Sequence, residues 1–433
     1  MKSVKRPPFG EKYAFVVVAV IFLCLLVAAG QRGTSGVLMR PLQDAFGWSS
    51  GTVSFAFGLG IFCYGMVGPF AAALMQRFGI RRVVTSALAL MALSVGSSYF
   101  MTEPWQLVLF WGLLSGLGSG CVAPVLAATV TARWFAARRG LIMGVLTAST
   151  ATGTLIFLPA LAALAQFSGW RSVALAVAAG AAIMIPLVLW LLPETPGSIG
   201  LRRFGAPIDQ PDPAPDRRRL LALAFGTLFR AMKTRAFWLL FATFFVCGFT
   251  TNGLVGTHLI SLCGDHGIVE VKAAGLMAMM GFFDLFGTTG SGWLTDRYDP
   301  RKLLFMYYGL RGLSLIFLPY SNFSFYELSI FAVFYGLDWI ATVPPTLKLA
   351  IENFGDADAP IIFGWVAAGH QIGAASATAF AGWMREWQGD YLQAFVIAGA
   401  TGVLAAVLSL MIRRPGRDAS TGELMPTRAS ATA

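Results

Sequence analysis

Arg32, Asp284, Arg311 and Asp338 interrupt stretches that are otherwise apolar over lengths able to cross a bilayer. A lone charge at the bilayer centre costs from ~2.5 kcal/mol to above 10 kcal/mol, so each such group needs a partner or a water-filled cavity. A carboxyl group placed there can bind and release a proton, and an arginine offers a carboxylate a planar fork of donors. Asp284, within Gly281-Phe282-Phe283-Asp284-Leu285-Phe286-Gly287-Thr288, is the candidate proton carrier. Arg32, among Gly30, Gly33 and Gly36, is the candidate anion contact. Its plainer alternative is a helix-end arginine reaching the outer interface. Arg311 and Asp338 stand at depths that allow pairing, and Tyr335 and Trp339 flank the acid. Two histidines, His258 at the end of one apolar run and His370 beside Gln371, are of the type that titrates near pH ~6.5. Asn252 with Thr251, and Thr147, Ser149, Thr150, Thr152 and Thr154, supply amide and hydroxyl groups for an aqueous path. Many of those hydroxyls have the alternative of bonding their own helix.

Holding such residues in place requires long apolar helices. Hydrophobic residues are 56% of the 433-residue chain and charged residues 12%, against roughly 45–50% and about 25% in soluble domains. Lipid is therefore the expected solvent. Runs long enough to cross hydrocarbon as helix fall at 13–38, 50–74, 83–101, 105–132, 141–166 and 172–192 in the first half. In the second half they fall at 236–262, 272–294, 303–319, 326–350, 361–384 and 392–412. The first run is too long, and lacks the small-residue cleavage site, for a signal peptide, so it reads as a retained helix. One short loop pattern occurs twice, as Ala72-Ala-Leu-Met-Gln76-Arg77-Phe78-Gly79-Ile80-Arg81-Arg82 and as Gly292-Trp-Leu-Thr-Asp296-Arg297-Tyr-Asp-Pro-Arg301-Lys302. Each copy follows an apolar run, and their spacing is close to half the chain. Two similar six-helix bundles in tandem follow from that duplication.

The net charge of +11 is topological information rather than a nucleic-acid signature. The segments on one side of the spans hold 25 of the 32 lysines and arginines, whereas the opposite loops hold Arg40, Arg171 and Arg385. The positive-inside rule then puts both termini in the cytoplasm. Pro193, Pro196, Pro207, Pro211, Pro213 and Pro215 followed by Arg217, Arg218 and Arg219 mark an extended linker, with a short interfacial helix at Leu220–Arg230. The five cysteines show no paired spacing, which excludes a disulfide framework or metal site from the expectation and leaves them as small apolar packing residues. No phosphate-binding Gly-x-x-x-x-Gly-Lys-Ser/Thr sequence occurs. Gly116, Gly118 and Gly120 lie inside a span and read as close helix packing.

The two loop copies resemble the signature between the second and third spans of the major facilitator superfamily. Gly292, Leu294, Asp296 and Arg297 keep that pattern, while the first copy has Ala72 for its glycine and Gln76 for its acid. The resemblance implies a cytoplasmic gate at Arg77, Gly79, Arg81, Asp296 and Arg297, weaker in the first half. A finer resemblance is to the monocarboxylate transporter and oxalate/formate antiporter branch. It rests on Arg133-Trp134-Phe135-Ala-Ala-Arg138-Arg139-Gly-Leu141, on Gly169-Trp170-Arg171, and on Arg40-Pro41-Leu42 with Phe46-Gly47-Trp48. Members of that branch carry a substrate-holding arginine one turn after the acid of span eight, where this chain has Thr288. Arg32 or another base would then hold the anion, or the substrate is larger or not a simple anion. The superfamily also places span nine at the periphery, which favours a structural role for Arg311, and the fourth span of each half on the cavity, which favours Asp338 as a lining residue.

The expected fold is thus an all-α membrane protein of twelve transmembrane helices in two six-helix bundles. The bundles are 1–192 and 236–413, with a cytoplasmic linker at 193–235 and a disordered tail at 414–433. The expected activity is secondary transport of a small organic anion with protons by alternating access; export of amphipathic compounds is the alternative. Substrate contacts are assigned to Arg32, Asn252, His258, Asp284, Thr288, Tyr335, Asp338 and Gln371, and proton coupling to Asp284, His258 and Asp338. Neither catalysis, cofactor, metal nor nucleic acid enters this reading, which places a monomer in the cell inner (plasma) membrane.

Overall fold

A computed structural model describes residues 10–206, 220–268 and 270–413. Lys2, Lys5 and Arg6, the linker from Pro207 to Arg219, and the tail expected to be disordered lie outside the described residues. The described chain is almost wholly helical. The first half comprises α1 (Tyr13–Phe46), α2 (Ser50–Phe78), α3 (Ile80–Ser97) and α4 (Pro104–Trp134). It ends in a helical run bent at Gly169 (φ 76°, ψ 171°), which separates α5 (139–168) from α6 (170–191). A short amphipathic helix, α7 (Leu220–Ala231), leads to α8 (Arg235–Asp265), α9 (Glu270–Arg297) and α10 (Pro300–Phe317). The remaining run turns at Gly355 (φ 78°, ψ 165°) between α11 (325–354) and α12 (356–388), and α13 (Leu392–Leu410) closes the bundle. Positive φ at these two bends is the left-handed region that glycine enters without a Cβ penalty. Among the described residues, nine helical runs are long and apolar enough to cross a membrane, two of them being the bent pairs.

Local sequence sets the helix starts. Ser49, Thr234 and Ser324 each accept the backbone N–H three residues on, and Pro104, Pro124 and Pro300 occupy first-turn positions that need no donor. The outer surface is apolar: Leu93, Ile183 and Phe334 are each about two-thirds exposed at 70%, 68% and 67%. Trp105, Trp190 and Trp387 are exposed near helix ends, where an amphipathic ring suits a membrane interface. Such a surface fits lipid and marks a multi-pass membrane protein.

The halves repeat with an offset of 220 residues, visible as Gly47 and Gly267, Pro124 and Pro344, and Gly169 and Gly389. In each pair the two residues do the same backbone job, either a positive-φ turn or a first-turn proline. Burial is organised differently at the two ends of the molecule. At the end carrying the basic loops, one continuous apolar cluster joins both halves, from Val17 and Met75 to Leu347 and Phe363. At the opposite end each half keeps its own cluster, one around Leu38, Trp111 and Trp170 and the other around Leu259, Leu315 and Phe395. The bundles are joined at one end and parted at the other.

Candidate functional site

Between the halves lies a cavity of about 660 Å³ lined by α2, α4, α5, α8, α9, α11 and α12. Two of these helices are broken where they meet it. α4 opens at Val122 (φ −106°, ψ 60°) and Ala123 (φ −121°, ψ 178°) before Pro124, and α11 opens at 339–342 before Pro344 and Pro345. Proline has no N–H to return to the carbonyl four residues back, so backbone groups are released at both breaks. In α11 side chains collect them. Ser291 Oγ donates to Ala341 O at 2.5 Å, Arg311 Nη2 to Asp338 O at 2.5 Å, and Ile340 N to Asp284 Oδ1 at 3.0 Å.

Asp284 lines the cavity floor and is 1% exposed. Its Oδ1 also accepts from Thr288 Oγ1 at 2.7 Å, one turn along α9. Thr288 is itself fully buried outside the lining and reaches the site through this bond. Lacking a charged head, threonine cannot counter the acid or grip an anion as an arginine would. Arg311 and Asp338 pair as their depths allow, at 2.6 Å between Nε and Oδ2. Arg311 Nη1 donates to Cys247 Sγ at 3.1 Å, so all three guanidinium nitrogens are engaged within the second half. Asp338 does not line the cavity, contrary to expectation, because the pair holds its side chain between α10 and α11. Cys247 also departs from the apolar reading: it lines the cavity and its thiol contacts Thr342 Oγ1 at 3.2 Å.

Of the other expected contacts, Asn252 and Gln371 line the cavity, as does His370. Arg32 stands behind the lining, its guanidinium 4.5 Å from the ring centre of Tyr64, which lines it. Tyr335 turns away and donates to Thr250 O at 2.8 Å. His258 also lies outside the lining. Its Nε2 is 3.1 Å from Thr378 O, which only accepts, so that nitrogen carries the proton and Nδ1 accepts from Tyr391 Oη at 3.2 Å. Both ring nitrogens are held by neighbours, which takes His258 out of position for a proton path through the cavity. Among the described residues, no three His, Cys, Asp or Glu side chains gather as a metal site requires.

At the basic end the halves are tied by polar bonds. Asp296 accepts from Gly140 N at 2.7 Å and Leu141 N at 2.9 Å, using amides that the first turn of α5 cannot satisfy internally. The other residues expected beside it have contacts within their own halves. Arg77 packs over Phe78, Arg81 binds Glu194 Oε2 through its amide and Leu189 O through its guanidinium, and Arg297 stacks 3.9 Å from the Trp293 ring. Gly79 (φ 94°) lies against the Glu194 carboxylate, which a Cβ would displace. The larger tie lies at residues outside the expected gate set. Asp356 receives Arg139 in a fork at 2.7 and 2.8 Å and Arg203 at 2.7 Å, while Gln76 donates to Ala357 O and Arg230 pairs with Asp358 at 2.8 Å. Arg203 is delivered by the linker segment 201–206, which docks through Phe204 N to Trp134 O at 2.8 Å and Ala136 N to Phe204 O at 2.9 Å. A signal for this tie exists in the sequence: segment 351–360 is the one basic-side loop without lysine or arginine, and it carries Asp356 and Asp358. Burial raises the proton affinity of the Asp356 carboxyl, but Arg139 and Arg203 more than reverse this and hold its pKa below the usual value of 3.8.

Comparison with known proteins agrees with this architecture. A profile described as Major Facilitator Superfamily matches residues 21–356 and 276–432. Monocarboxylate transporter 13 of Rattus norvegicus is 28% identical over 398 residues, covering 91% of this chain and 87% of that protein. The uncharacterized MFS-type transporter YcxA of Bacillus subtilis (strain 168) is 25% identical over 335 residues, 75% of this chain and 76% of its own. Among solved structures, the proton:xylose symporter XylE bound to 6-bromo-6-deoxy-D-glucose superposes with a TM-score of 0.71 at 17% identity over 94% of this chain and 97% of that one. The E. coli fucose:proton symporter FucP gives 0.68 at 15% identity over 93% and 99%. With a two-bundle helical fold, a cavity between the bundles and a profile match over most of its length, the chain belongs to the major facilitator superfamily and is a monocarboxylate transporter-like transporter, not an enzyme.

Proposed function

We propose that this protein is a secondary active transporter that carries an organic anion with protons by alternating access, held here with its cytoplasmic side closed. The observation that carries the reading is the arrangement of apolar burial. One core fuses the halves at the basic end and two separate cores part them at the other, with the cavity and Asp284 where they diverge. Positive-inside topology makes the basic end cytoplasmic, so the inner gate comprises Asp296 of α9, which accepts from the first-turn amides of α5, and the Asp356 cluster with Arg139 and Arg203. Counting each bent pair as two crossings and adding α9 gives twelve spans, with both termini inside an inner (plasma) membrane and the monomer as the working unit. Broken helices at the midplane of paired repeats are the usual setting of transporter sites.

In this scheme Asp284 exchanges the coupled proton and Arg32, through Tyr64, receives the anion. Asn252 and Gln371 orient the substrate, and the Arg311–Asp338 pair braces the broken α11. The test is carboxylate uptake into proteoliposomes with and without an imposed pH gradient, for wild type and Asp284→Asn. Uptake that ignores the gradient removes the coupling, and uptake unaffected by Asp284→Asn removes the assigned residue. One observation favours the second reading, export of amphipathic compounds: among the described residues no lysine or arginine lines the cavity itself. Competition by uncharged amphiphiles but not by carboxylates would select it.

A further inference from the structure

The cavity is built for more than a three-carbon acid. At ~30 Å³ per water it has room for about 20 waters, and cavities of roughly 300–1,000 Å³ ordinarily enclose drug-sized ligands behind apolar walls with a few placed polar groups. Here the walls are Leu155 and Leu158 of α5, Ile260 of α8, Met277 and Met280 of α9, and Trp339 of α11. On α9, Ala274, Met277, Met280, Gly281 and Asp284 follow helical spacing along one lining face, so the side chains above the floor acid are apolar or absent. Methionine adapts to irregular ligand shapes, and Gly281 and Ala274 leave room beside it.

The arginines and lysines near the cavity are few and differ in position. Arg311 is 1% exposed and its nitrogens are committed to Asp338, Cys247 and the opened backbone of α11. Lys348 donates to Thr295 O toward the basic end and does not line the cavity. Arg32 is half-buried over Tyr64, at the edge of the cavity on the first-half side. Tyr64 and Asp284 are mates in the 220-residue repeat, so the basic edge and the acidic floor belong to opposite halves.

We infer that the substrate is a monocarboxylic acid with a bulky apolar body, aryl or long alkyl, its carboxylate toward Arg32 and Tyr64 and its body against Met277, Met280, Ile260 and Trp339. This rests on the organic-anion reading above. A head held at one edge leaves the apolar wall in contact with water unless the rest of the ligand covers it.

The experiment is competition by a homologous series, propionate, lactate, 3-phenylpropionate, 5-phenylvalerate and decanoate, measured on the full-length protein in liposomes against one labelled member. Burying each methylene raises affinity about fourfold, so inhibition constants are expected to fall three- to fourfold per methylene until the cavity is filled. Met277→Ser and Trp339→Ala flatten this slope, whereas Arg32→Gln weakens all members by a similar factor. Lactate and propionate competing as well as the phenyl acids overturns the inference and leaves the anion reading in place. If no acid of any length competes, the anion reading falls first. The wild-type series carries the test even if a variant fails to fold.

Discussion

Replacing Asp356 by asparagine should open the end of the molecule that carries the basic loops. The carboxylate accepts three charge-assisted bonds, two from Arg139 and one from Arg203, at 2.7–2.8 Å, with its side chain 26% exposed. Hydrogen bonds to charged groups contribute about 1.5–3 kcal/mol when buried, while exposed ion pairs contribute about 0.2–1 kcal/mol. Taking the cluster between these limits, and allowing asparagine to keep one weaker bond, gives a loss of about 2 kcal/mol from the inward-closed state. Since the bonds cross between halves, opening breaks them and the loss falls on one side of the equilibrium. A tenfold change corresponds to about 1.4 kcal/mol, so the ratio of open to closed should rise about 30-fold. Spin labels on Arg82→Cys and Tyr298→Cys, both exposed on opposite halves, would report it. Wild type is expected to give one short distance and Asp356→Asn an added longer one. An unchanged distribution accompanied by lower thermal stability would refute the reasoning, because the cluster would then brace both states equally.

The Asp356 carboxyl titrates below its ordinary range, so its stabilisation is complete above the unfolded value and is lost only as pH falls through the depressed folded one. The shape of the uptake–pH curve between pH ~5 and ~8 should therefore survive Asp356→Asn and flatten in Asp284→Asn; the reverse outcome would make the gate the proton sensor. Thr288→Val deletes the Oγ1 donor to Asp284 and should lower proton-driven uptake about 30-fold, within the ~1.5–3 kcal/mol of a bond to a charged group, with Thr288→Ser restoring most of it. Arg311→Met strands Asp338 and should cost about 3–5 kcal/mol in unfolding of the detergent-solubilised protein; adding Asp338→Leu should recover most of that, and a double variant no better than the single would refute the pair. At Gly364 an added Cβ would lie 2.6 Å from Pro69 N across the interface, so Gly364→Val should shift the same label pair toward the open distance.

The fold was legible because lipid imposes a coarse constraint: crossings must be long, apolar and helical, and basic residues collect on one side. The duplicated loop then divided the crossings into halves. Buried ionisable residues were legible as charges inside apolar runs, as with Asp284, and the Arg311–Asp338 pair followed from matched depth. Gate and cavity lining were less so, since they depend on which side of a helix faces the partner bundle. His258 and Tyr335 have the right chemistry but turn toward Tyr391 and Thr250 within their own half. The Asp356 cluster is not legible because its partners, Arg139 and Arg203, lie far from it in sequence, and Arg203 belongs to the proline-marked linker. The break in α11 was marked by Pro344 and Pro345, yet only coordinates show that Asp284, Ser291 and Arg311 gather around it.

The repeat register also explains why the titratable chemistry is one-sided. Arg311 and Asp338 occupy the positions that Met91 and Gly118 hold in the first half, where a Cβ on Gly118 would meet Met91 Cγ at 2.8 Å. The same helix contact is therefore made by apolar packing in one half and by a buried ion pair in the other. Replacing a buried pair with apolar side chains is often neutral or stabilising, so the first-half solution shows that packing alone can join these helices. What the pair adds is a hold on the opened backbone of α11, through Asp338 O and the Trp339 carbonyl at 3.4 Å. The first half breaks α4 at the matching Pro124, but with Met91 at the arginine's position it lacks that brace. If the brace keeps Ile340 N aimed at Asp284, disrupting it should damage coupling beyond its effect on stability. The Arg311→Met, Asp338→Leu variant tests this directly: near-native unfolding with uptake that no longer follows the pH gradient is expected, and coupling retained at full strength would reduce the pair to packing.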